Sequence, residues 1–206
     1  MTPEVSIGLI GLLLGAAVAS GLRLYATVAV LGFLGRTGVL ALPGGLAALT
    51  HSWVIVVAAS LYLVEFLADK IPIVDSVWDL VHTFIRVPAA ALLAWAAFAG
   101  TDVPEHWRVV AALVCGGVAL SAHGLKSSTR AVINTSPEPV TNWLASLAED
   151  GLTAFLLFLA VKHPVAAACV AAGVVLLALL LVAWMTRTLR RFLANRRAAR
   201  PAAAGI

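Results

Sequence analysis

The chain is poor in charged residues and in cysteine. Only 12% of its 206 residues are Asp, Glu, Lys or Arg, against roughly 25% in soluble globular domains. Hydrophobic residues make up 62%, and the mean hydropathy is +1.00, so an ordinary soluble domain is excluded. Cys115 and Cys169 both lie in apolar segments. Their placement excludes a disulfide framework and favours small buried side chains over a disulfide or a metal site.

The signatures of nucleotide-dependent and hydrolytic enzymes are also missing. The sequence has no Gly-rich phosphate loop and no dinucleotide fingerprint. Ser127, Ser128 and Thr129 fit no serine-nucleophile motif. His82 and Asp79 can serve as a base and its orienting partner, but no nucleophile accompanies them. The N-terminus has no basic segment, and its apolar run is too long for a cleavable signal.

Six apolar runs reach or approach the roughly 20 residues with which a helix crosses the hydrocarbon core. The predicted fold is therefore an all-α, polytopic membrane bundle of six helices, with kinked or broken members. The runs are residues 5–34, 53–68, 88–100, 107–122, 143–161 and 164–185. Residues 5–34 form one long tilted helix or two short ones broken at Ser20-Gly21, which would give a seventh. We assign residues 1–186 to a single transmembrane domain.

A basic tail follows the last apolar run. Six arginines lie beyond residue 186, whereas residues 1–186 hold 8 basic and 10 acidic residues, a net charge of −2. The positive-inside rule predicts that this Arg/Ala-rich tail, residues 187–206, is cytoplasmic and that the protein lies in the inner (plasma) membrane. The loops near residues 68–76 and 123–138 then share the cytoplasmic side. The tail is a candidate contact for anionic lipids, and nothing else in the sequence suggests nucleic-acid binding.

Charged residues concentrate in two stretches, of which the first is residues 65–86. Four ionisable side chains in it recur at spacings of four, three and four: Asp75, Asp79, His82 and Arg86. This spacing places them on one face of a helix that begins near residues 74–76. The helix is expected to continue into residues 88–100 with a kink near Pro88. The polar face lies along the membrane surface or faces a wet protein interior, and we favour the interior.

The second stretch is residues 123–150. Its first part carries a basic face at helical spacing: His123, Lys126, Ser127, Arg130 and Asn134. Ser136 and Pro137 then predict the start of a helix that runs to about Val161. Glu149 and Asp150 would lie near the middle of this helix, where a charge costs about 2.5–3.5 kcal/mol. Such groups persist when they are paired, protonated or hydrated, and a purely structural ion pair is the alternative to a functional site.

Two short matches suggest an internal repeat. Pro72-x5-Trp78 aligns with Pro137-x5-Trp143 at an offset of 65, and Gly21-Leu22-Arg23 with Gly124-Leu125-Lys126 at an offset of 103. Chance explains such short matches about as well as a gene duplication does. In the first alignment Arg86 corresponds to Gly151, level with Glu149 and Asp150. We therefore predict that Arg86 pairs with one of these two carboxylates.

These patterns define a candidate ion or substrate pathway within the bilayer. Its predicted members are Asp75, Asp79, His82, Arg86, His123, Lys126, Arg130, Asn134, Asn142, Glu149 and Asp150, with Arg23, Glu65, Asp69 and Lys70 as a secondary set. Oxygen and imidazole ligands suit a divalent cation, but the spacing is no dedicated metal signature. A divalent cation is therefore a minor alternative, and no cofactor is predicted.

Three functions are compatible with such a pathway. Intramembrane ionisable residues favour a transporter or channel for a small ion or small polar solute, with proton coupling through His82. The second is a membrane enzyme or flippase that holds an anionic lipid head group with Lys70, Arg86, Lys126 and Arg130. The third is a non-catalytic scaffold whose ion pairs specify helix packing. A non-enzymatic function is favoured, and association into homo-oligomers is left open.

Long motifs of this chain resemble a known family. They are GLRLYATVAVLG near the start, LYLVEFLADKIPIVDSVWDLVHTFIR and STRAVINTSPEP in the polar stretches, and LASLAED. The chain resembles, over residues from about 5 to 186, the bacterial membrane-protein family catalogued as domain of unknown function 4126. The resemblance implies a polytopic, all-helical inner-membrane protein. It implies no activity and no residue roles.

Overall fold

A computed structural model describes residues 7–135 and 139–199 of the chain. Within these residues every regular element is a helix, which confirms the all-α prediction. In chain order the elements are α1 (Ile7–Arg36), a 3₁₀ helix (Gly44–Thr50), α2 (Ser52–Ala68), α3 (Pro72–Ala97), α4 (Glu105–Ile133), α5 (Pro139–Lys162) and α6 (Pro164–Ala199). The predicted helix start at Ser136 and Pro137 lies outside the described residues.

Five of these helices, α1 and α3 to α6, are long and apolar enough to cross a membrane. A sixth crossing is obtained if the 3₁₀ helix and α2, which meet at a bend of 67°, count as one span. The chain is therefore a multi-pass membrane protein with a polytopic helical bundle. Helix α6 continues beyond the predicted end of its apolar run, so the described part of the basic tail extends this helix.

Helix α1 is broken at Arg23, whose backbone has φ −143° and ψ 81°. Leu12 and Leu31 line the same small cavity. In a straight helix these residues would be about 28 Å apart, because each residue adds 1.5 Å. The two arms, residues 7–22 and 24–36, must therefore fold back on each other. We call this unit the α1 hairpin, with its tip at Arg23. The sequence did not decide whether residues 5–34 form one helix or two. The structure has two, and the break at Arg23 lies just after the suggested Ser20-Gly21.

Both ends of the α1 hairpin lie at one end of the bundle. A single cavity there is lined by the start of α1, the segment that follows α1, the end of α3 and the α5–α6 turn, represented by Gly8, Leu42, Ala97 and Pro164. We call this the base end. The opposite end of the bundle, towards which α6 runs, we call the tail end. There the amide of Asn142 in α5 donates to the carbonyl of Asp69 in the α2–α3 turn, with an N···O distance of 3.0 Å. The sixteen residues of the first arm carry the tip about 24 Å into the bundle.

The hairpin forms the core because small residues let neighbouring backbones approach it. A Cβ added at Gly11 would lie 2.1 Å from the carbonyl oxygen of Pro164, and one at Gly21 would lie 2.5 Å from that of Ala119. Residues 16–19, which lie in the first arm close to the tip, are all buried. By contrast, α6 exposes most of its apolar side chains, as expected of a helix whose outer face contacts lipid.

Helix α3 settles how the first polar stretch is arranged. It begins at Pro72, slightly earlier than predicted, and runs as one helix through Pro88. Its ionisable face is buried, while apolar side chains such as Leu80 and Phe84 are exposed. The interior arrangement, rather than a helix along the membrane surface, is therefore what the structure shows.

One expectation about the two cysteines was wrong: Cys115 is buried, but Cys169 is exposed on the outer surface of α6.

Candidate functional site

Ten charged side chains meet around the tip of the α1 hairpin. The four bases are Arg23, Arg86, Lys126 and Arg130, and the six acids are Glu65, Asp69, Asp75, Asp79, Glu149 and Asp150. We call this set the ionic network. Only Glu149 and Asp150 have side chains more than 10% exposed, at 14% and 17%. With every group ionised, four bases and six acids leave a formal charge of −2 in the interior of the bundle.

Arg23 ties the hairpin tip to two other parts of the chain. Its guanidinium donates to the carboxylate of Asp69 in the α2–α3 turn. Towards α5, its Nε lies 2.9 Å from Asp150 Oδ1, and its Nη2 lies 3.3 Å from Glu149 Oε2 and 3.2 Å from the Ser146 carbonyl oxygen. The side chain is completely buried. One residue at the helix break therefore joins three acids that are distant in the sequence.

The break in α1 leaves backbone carbonyls that buried cations satisfy. A helix end has unpaired carbonyl groups and a partial negative charge. Here Arg86 Nη1 lies 3.5 Å from the Gly21 carbonyl oxygen, and Lys126 Nζ donates to the Leu22 carbonyl oxygen at 3.4 Å. The hydroxyl of Thr27 donates to the Arg23 carbonyl oxygen at 2.9 Å. The broken helix is thus stabilised by side chains of α3 and α4.

The ammonium group of Lys126 is surrounded by oxygen atoms from four segments. Besides the Leu22 carbonyl, its Nζ lies 3.2 Å from Asp79 Oδ1, 3.5 Å from Glu149 Oε2 and 3.6 Å from Asp69 Oδ2. These atoms belong to α1, α3, α5 and the α2–α3 turn. Lys126 therefore provides a tethered cation inside a cage of carboxylates and a carbonyl.

Arg86 pairs with different acids from those predicted. Its guanidinium donates to Glu65 of α2 and lies 3.2 Å from Asp79 Oδ1 on its own helix. The predicted pair with Glu149 or Asp150 is wrong, because Arg23 binds both of these carboxylates instead. The physical reason is the α1 hairpin, which packs against both α3 and α5 and brings Arg23 to the position that the alignment gave to Arg86.

The tail end of the network is closed by Arg130 and two asparagines. Arg130 Nε donates to Glu149 Oε1 at 2.7 Å, and its Nη1 donates to the side-chain oxygen of Asn142. Asn134 Nδ2 donates to Asp75 Oδ2 at 2.9 Å. These contacts join the end of α4 to the beginnings of α3 and α5.

Lys70, in the turn between α2 and α3, lies beside the network. Its Nζ is 3.3 Å from the centroid of the Phe66 ring, a cation–π contact, and 3.5 Å from Ser146 Oγ. Partial burial lowers the pKa of Lys70 from its ordinary value. Lys70 therefore covers the network at the tail end without entering it.

Two histidines border the network on the side of α3 and α4. His82 stacks on the Trp78 ring, with centroids 4.3 Å apart, and its Nε2 lies 3.0 Å from the Tyr25 hydroxyl. His123 lies between Arg86 Nη1, at 2.7 Å from its Nδ1, and Thr83 Oγ1, at 2.8 Å from its Nε2. Both rings are nearly buried.

A groove between α3 and α4 leads from the protein surface to the network. It has a volume of about 240 Å³, and its polar lining consists of three hydroxyl groups and two members of the network: Ser76, Thr83, Ser127, Asp79 and Arg130. The groove reaches Asp79 and Arg130 of the network. It gives a small polar solute or a hydrated ion a route of approach to the network.

The structure brings the predicted site residues together. The ionic network contains ten of them, with Arg23, placed in the secondary set, at its centre. His123, Asn134 and Asn142 contact the network, and His82 and Lys70 lie beside it. The predicted set omitted hydroxyl side chains that contact the network or its two histidines, among them Tyr25, Tyr62, Thr83, Ser127 and Ser146. Thr83 and Ser127 lie one helical turn after Asp79 and His123, a spacing that could have indicated them.

The described residues contain no group of three or more His, Cys, Asp or Glu side chains placed to hold a metal ion. Each carboxylate of the ionic network contacts at least one arginine or lysine side chain.

A family described as a domain of unknown function (DUF4126) matches residues 10–184. No curated protein and no solved structure matches the chain.

Proposed function

The chain belongs to the DUF4126 family, and we propose that it is a membrane transporter or channel for a small ion or small polar solute. The observation that carries this proposal is the broken helix of the α1 hairpin, which presents Arg23 and the carbonyl groups of Gly21 and Leu22 to the ionic network. Transporters commonly form their binding sites from discontinuous helices whose exposed ends face the substrate or the coupling ion. The tip lies about 24 Å from the base end, within a bilayer core about 30 Å thick.

The charge of the network favours a cation or proton as the transported or coupling species. The six acids outnumber the four bases, and Glu65 Oε2 and Asp69 Oδ1 have no hydrogen-bond donor among the described residues. An excess of buried carboxylate is costly unless a further positive charge is bound. A net negative site is also a poor one for an anionic lipid head group, because every base in it already contacts a carboxylate.

A purely structural role explains the network less well. Replacing a buried ion pair by packed apolar side chains is often neutral or stabilising. A scaffold would therefore gain little from ten buried charges of which six are negative and four positive. It would also not need a groove that reaches Asp79 and Arg130. We propose that the structure represents a closed state in which Lys126 occupies the ion position. Lysine suits this part because it carries a compact charge on a flexible stem.

We further propose that the membrane is a bacterial inner membrane and that the tail end faces the cytoplasm. Helix α6 has 36 residues, a length of about 54 Å against a hydrocarbon core of about 30 Å. Its extension carries Arg187, Arg190 and Arg191 on one face, as the positive-inside rule requires of a cytoplasmic end. Anionic lipid head groups are the expected contacts of these arginines. The α1 hairpin would then enter the membrane from the outside.

Flux measurements in liposomes test the proposed function. The purified protein is reconstituted, and uptake of H⁺, Na⁺, K⁺ and a small organic cation is followed in response to imposed gradients. Lys126→Met removes the tethered cation, whereas Lys162→Met changes an exposed lysine and is the matched control. We expect flux of at least one cation through the native protein and through the control, with an altered rate or selectivity in Lys126→Met.

Two results would contradict the proposal. One is cation flux no greater than in protein-free liposomes under every gradient. The other is equal flux in Lys126→Met and the native protein, which would place any pathway outside the network. Movement of labelled anionic phospholipid between leaflets, without ion flux, would support the lipid-handling alternative instead.

A further inference from the structure

The two histidines beside the network are held in opposite tautomers. His82 Nδ1 lies 2.8 Å from the carbonyl oxygen of Trp78, and a carbonyl can only accept, so Nδ1 carries the proton. Nε2 of His82 then accepts from the Tyr25 hydroxyl at 3.0 Å. A second proton on this ring would be tolerated, because the Tyr25 hydroxyl can rotate and accept.

His123 has the reverse arrangement. Arg86 Nη1 lies 2.7 Å from His123 Nδ1, and a guanidinium can only donate, so Nδ1 must present its lone pair. On the other side of the ring, the hydroxyls of Thr83 and Ser127 donate to the Asp79 carbonyl and to Asp79 Oδ2. Their oxygens are therefore free to accept from Nε2 of His123. The ring is neutral, with its proton on Nε2.

We propose that Nδ1 of His123 is a proton-binding site of the ionic network and that Arg86 occupies this site in the closed state. If Nδ1 bound a proton, its N–H would point at the N–H of Arg86, and two positive charges would be brought together. Proton binding and the Arg86 contact therefore exclude each other. This inference rests on the proposed function, because it identifies the proton as the coupling ion of the same pathway.

The surroundings of His123 allow the exchange. The charged groups near it are Arg86 and Asp79 of α3, Lys126 of its own helix, and Glu65 of α2, which Arg86 holds. From α1, the carbonyl oxygen of Gly21 lies 3.5 Å from the same Arg86 Nη1 that contacts His123. Arg86 can leave His123 and keep both carboxylates, while Asp79 remains available to the imidazolium. A movement of Arg86 would also release the Gly21 carbonyl and so loosen the tip.

The ring also connects two environments. Nδ1 faces the network, whereas Nε2 contacts Thr83 and Ser127, which line the groove. A proton that binds at Nδ1 and a second proton that leaves Nε2 through these hydroxyls leave the ring neutral, now protonated on Nδ1. One proton thereby passes between the network and the groove, and Arg86 blocks the passage in the closed state. The original tautomer returns when Nδ1 releases its proton and Nε2 binds one.

Nitrogen NMR of the histidine rings tests this inference directly. The chain has five histidines, and His51, His106 and His163 are exposed. The triple variant His51→Gln, His106→Gln, His163→Gln leaves two ring signals without touching the network. In ¹⁵N-histidine-labelled protein in lipid nanodiscs at neutral pH, we expect one Nδ1–H ring and one Nε2–H ring, both neutral. Adding His82→Gln should remove the Nδ1–H ring and so assign the pair.

Acidification of protein labelled with both ¹⁵N-histidine and ¹⁵N-arginine is the second measurement. We expect the Nε2–H ring to become imidazolium at the same pH at which the ¹⁵N signal of the Arg86 guanidinium shifts. Two rings of the same tautomer at neutral pH, or an imidazolium at His123 while the Arg86 signal is unchanged, would overturn the inference.

The outcome is separable from that of the flux experiment. If liposomes show no flux but the tautomers and the Arg86 shift are as described, the proposed function fails and the proton site stands. If ion flux occurs and His123→Gln keeps both the native rate and the native pH dependence, the proton site fails and the transporter stands. For a coupled pathway we expect His123→Gln to lose the pH dependence of flux.

Discussion

Replacement of Arg23 by methionine should be among the most destabilising single changes in this protein. The guanidinium is fully buried, contacts three carboxylates and donates to the backbone and side chain of Ser146. Methionine keeps an unbranched side chain of similar reach but removes the charge and all donors. The network would then hold three bases and six acids, and the tip of the α1 hairpin would lose its connection to α5.

The magnitude follows from the removal of one partner of a buried ion pair, which costs about 3–5 kcal/mol. For a chain of this size, each kcal/mol lowers the melting temperature by about 2–4 °C. Arg23→Met should therefore lower the melting temperature by about 6–20 °C. Arg36→Met is the matched control, because Arg36 ends the same helix on the exposed surface and makes one long contact, 3.3 Å to the Thr50 carbonyl oxygen. Its change should stay within about 0.5 kcal/mol.

The assay is thermal unfolding of the purified protein in detergent, followed by intrinsic tryptophan fluorescence with equal lipid content in all samples. A double variant, Arg23→Met with Asp69→Asn, should lose less than the sum of the single changes, because Asp69 is the partner that Arg23 leaves unpaired. If Arg23→Met melts within about 2 °C of Arg36→Met, less than one kcal/mol separates them. That result would refute the claim that the hairpin tip is held by Arg23.

Two further changes test the packing of the bundle. Gly21→Ala places a Cβ 2.5 Å from the Ala119 carbonyl oxygen and should destabilise the protein by about 1–3 kcal/mol. Gly117→Ala is the control on α4: its Cβ would have no atom within 4 Å, and it should stabilise the protein by about 0.5–1 kcal/mol. Equal melting temperatures of the two variants would contradict the close approach of the tip to α4. For the cysteines, mass spectrometry after maleimide treatment in detergent should find Cys169 modified and Cys115 unmodified until the protein is denatured; early reaction of Cys115 would contradict its burial.

The network changes how the individual charges should be understood. Each base contacts at least two groups from other segments, so a single substitution alters several interactions at once. Lys126, for example, connects the broken helix to Asp79, Asp69 and Glu149. Effects of substitutions within the network are therefore expected to be non-additive, and comparison with exposed residues of the same type gives the appropriate baseline.

The sequence by itself determined the helical spans and which side of α3 is polar. Hydropathy identifies a membrane helix because hydrocarbon requires the backbone to satisfy its own hydrogen bonds. The spacing of Asp75, Asp79, His82 and Arg86 fixes a common face because a helix repeats every 3.6 residues. Both are local properties of the chain. The apolar run at residues 88–100 directly follows Arg86 and is too short to span a membrane alone, which made the interior arrangement the better prediction.

Only the tertiary structure decided the path of α1 and the partners of the charges. Residues 7–36 are apolar enough for one straight span, and the break becomes favourable because Arg86 and Lys126, far along the chain, bind the carbonyls that it frees. The break in turn brings Arg23 to Glu149 and Asp150, the place where a short alignment had put Arg86. Pairing in a buried network depends on distances between helices, and these arise only when the hairpin, α3, α4 and α5 are packed together.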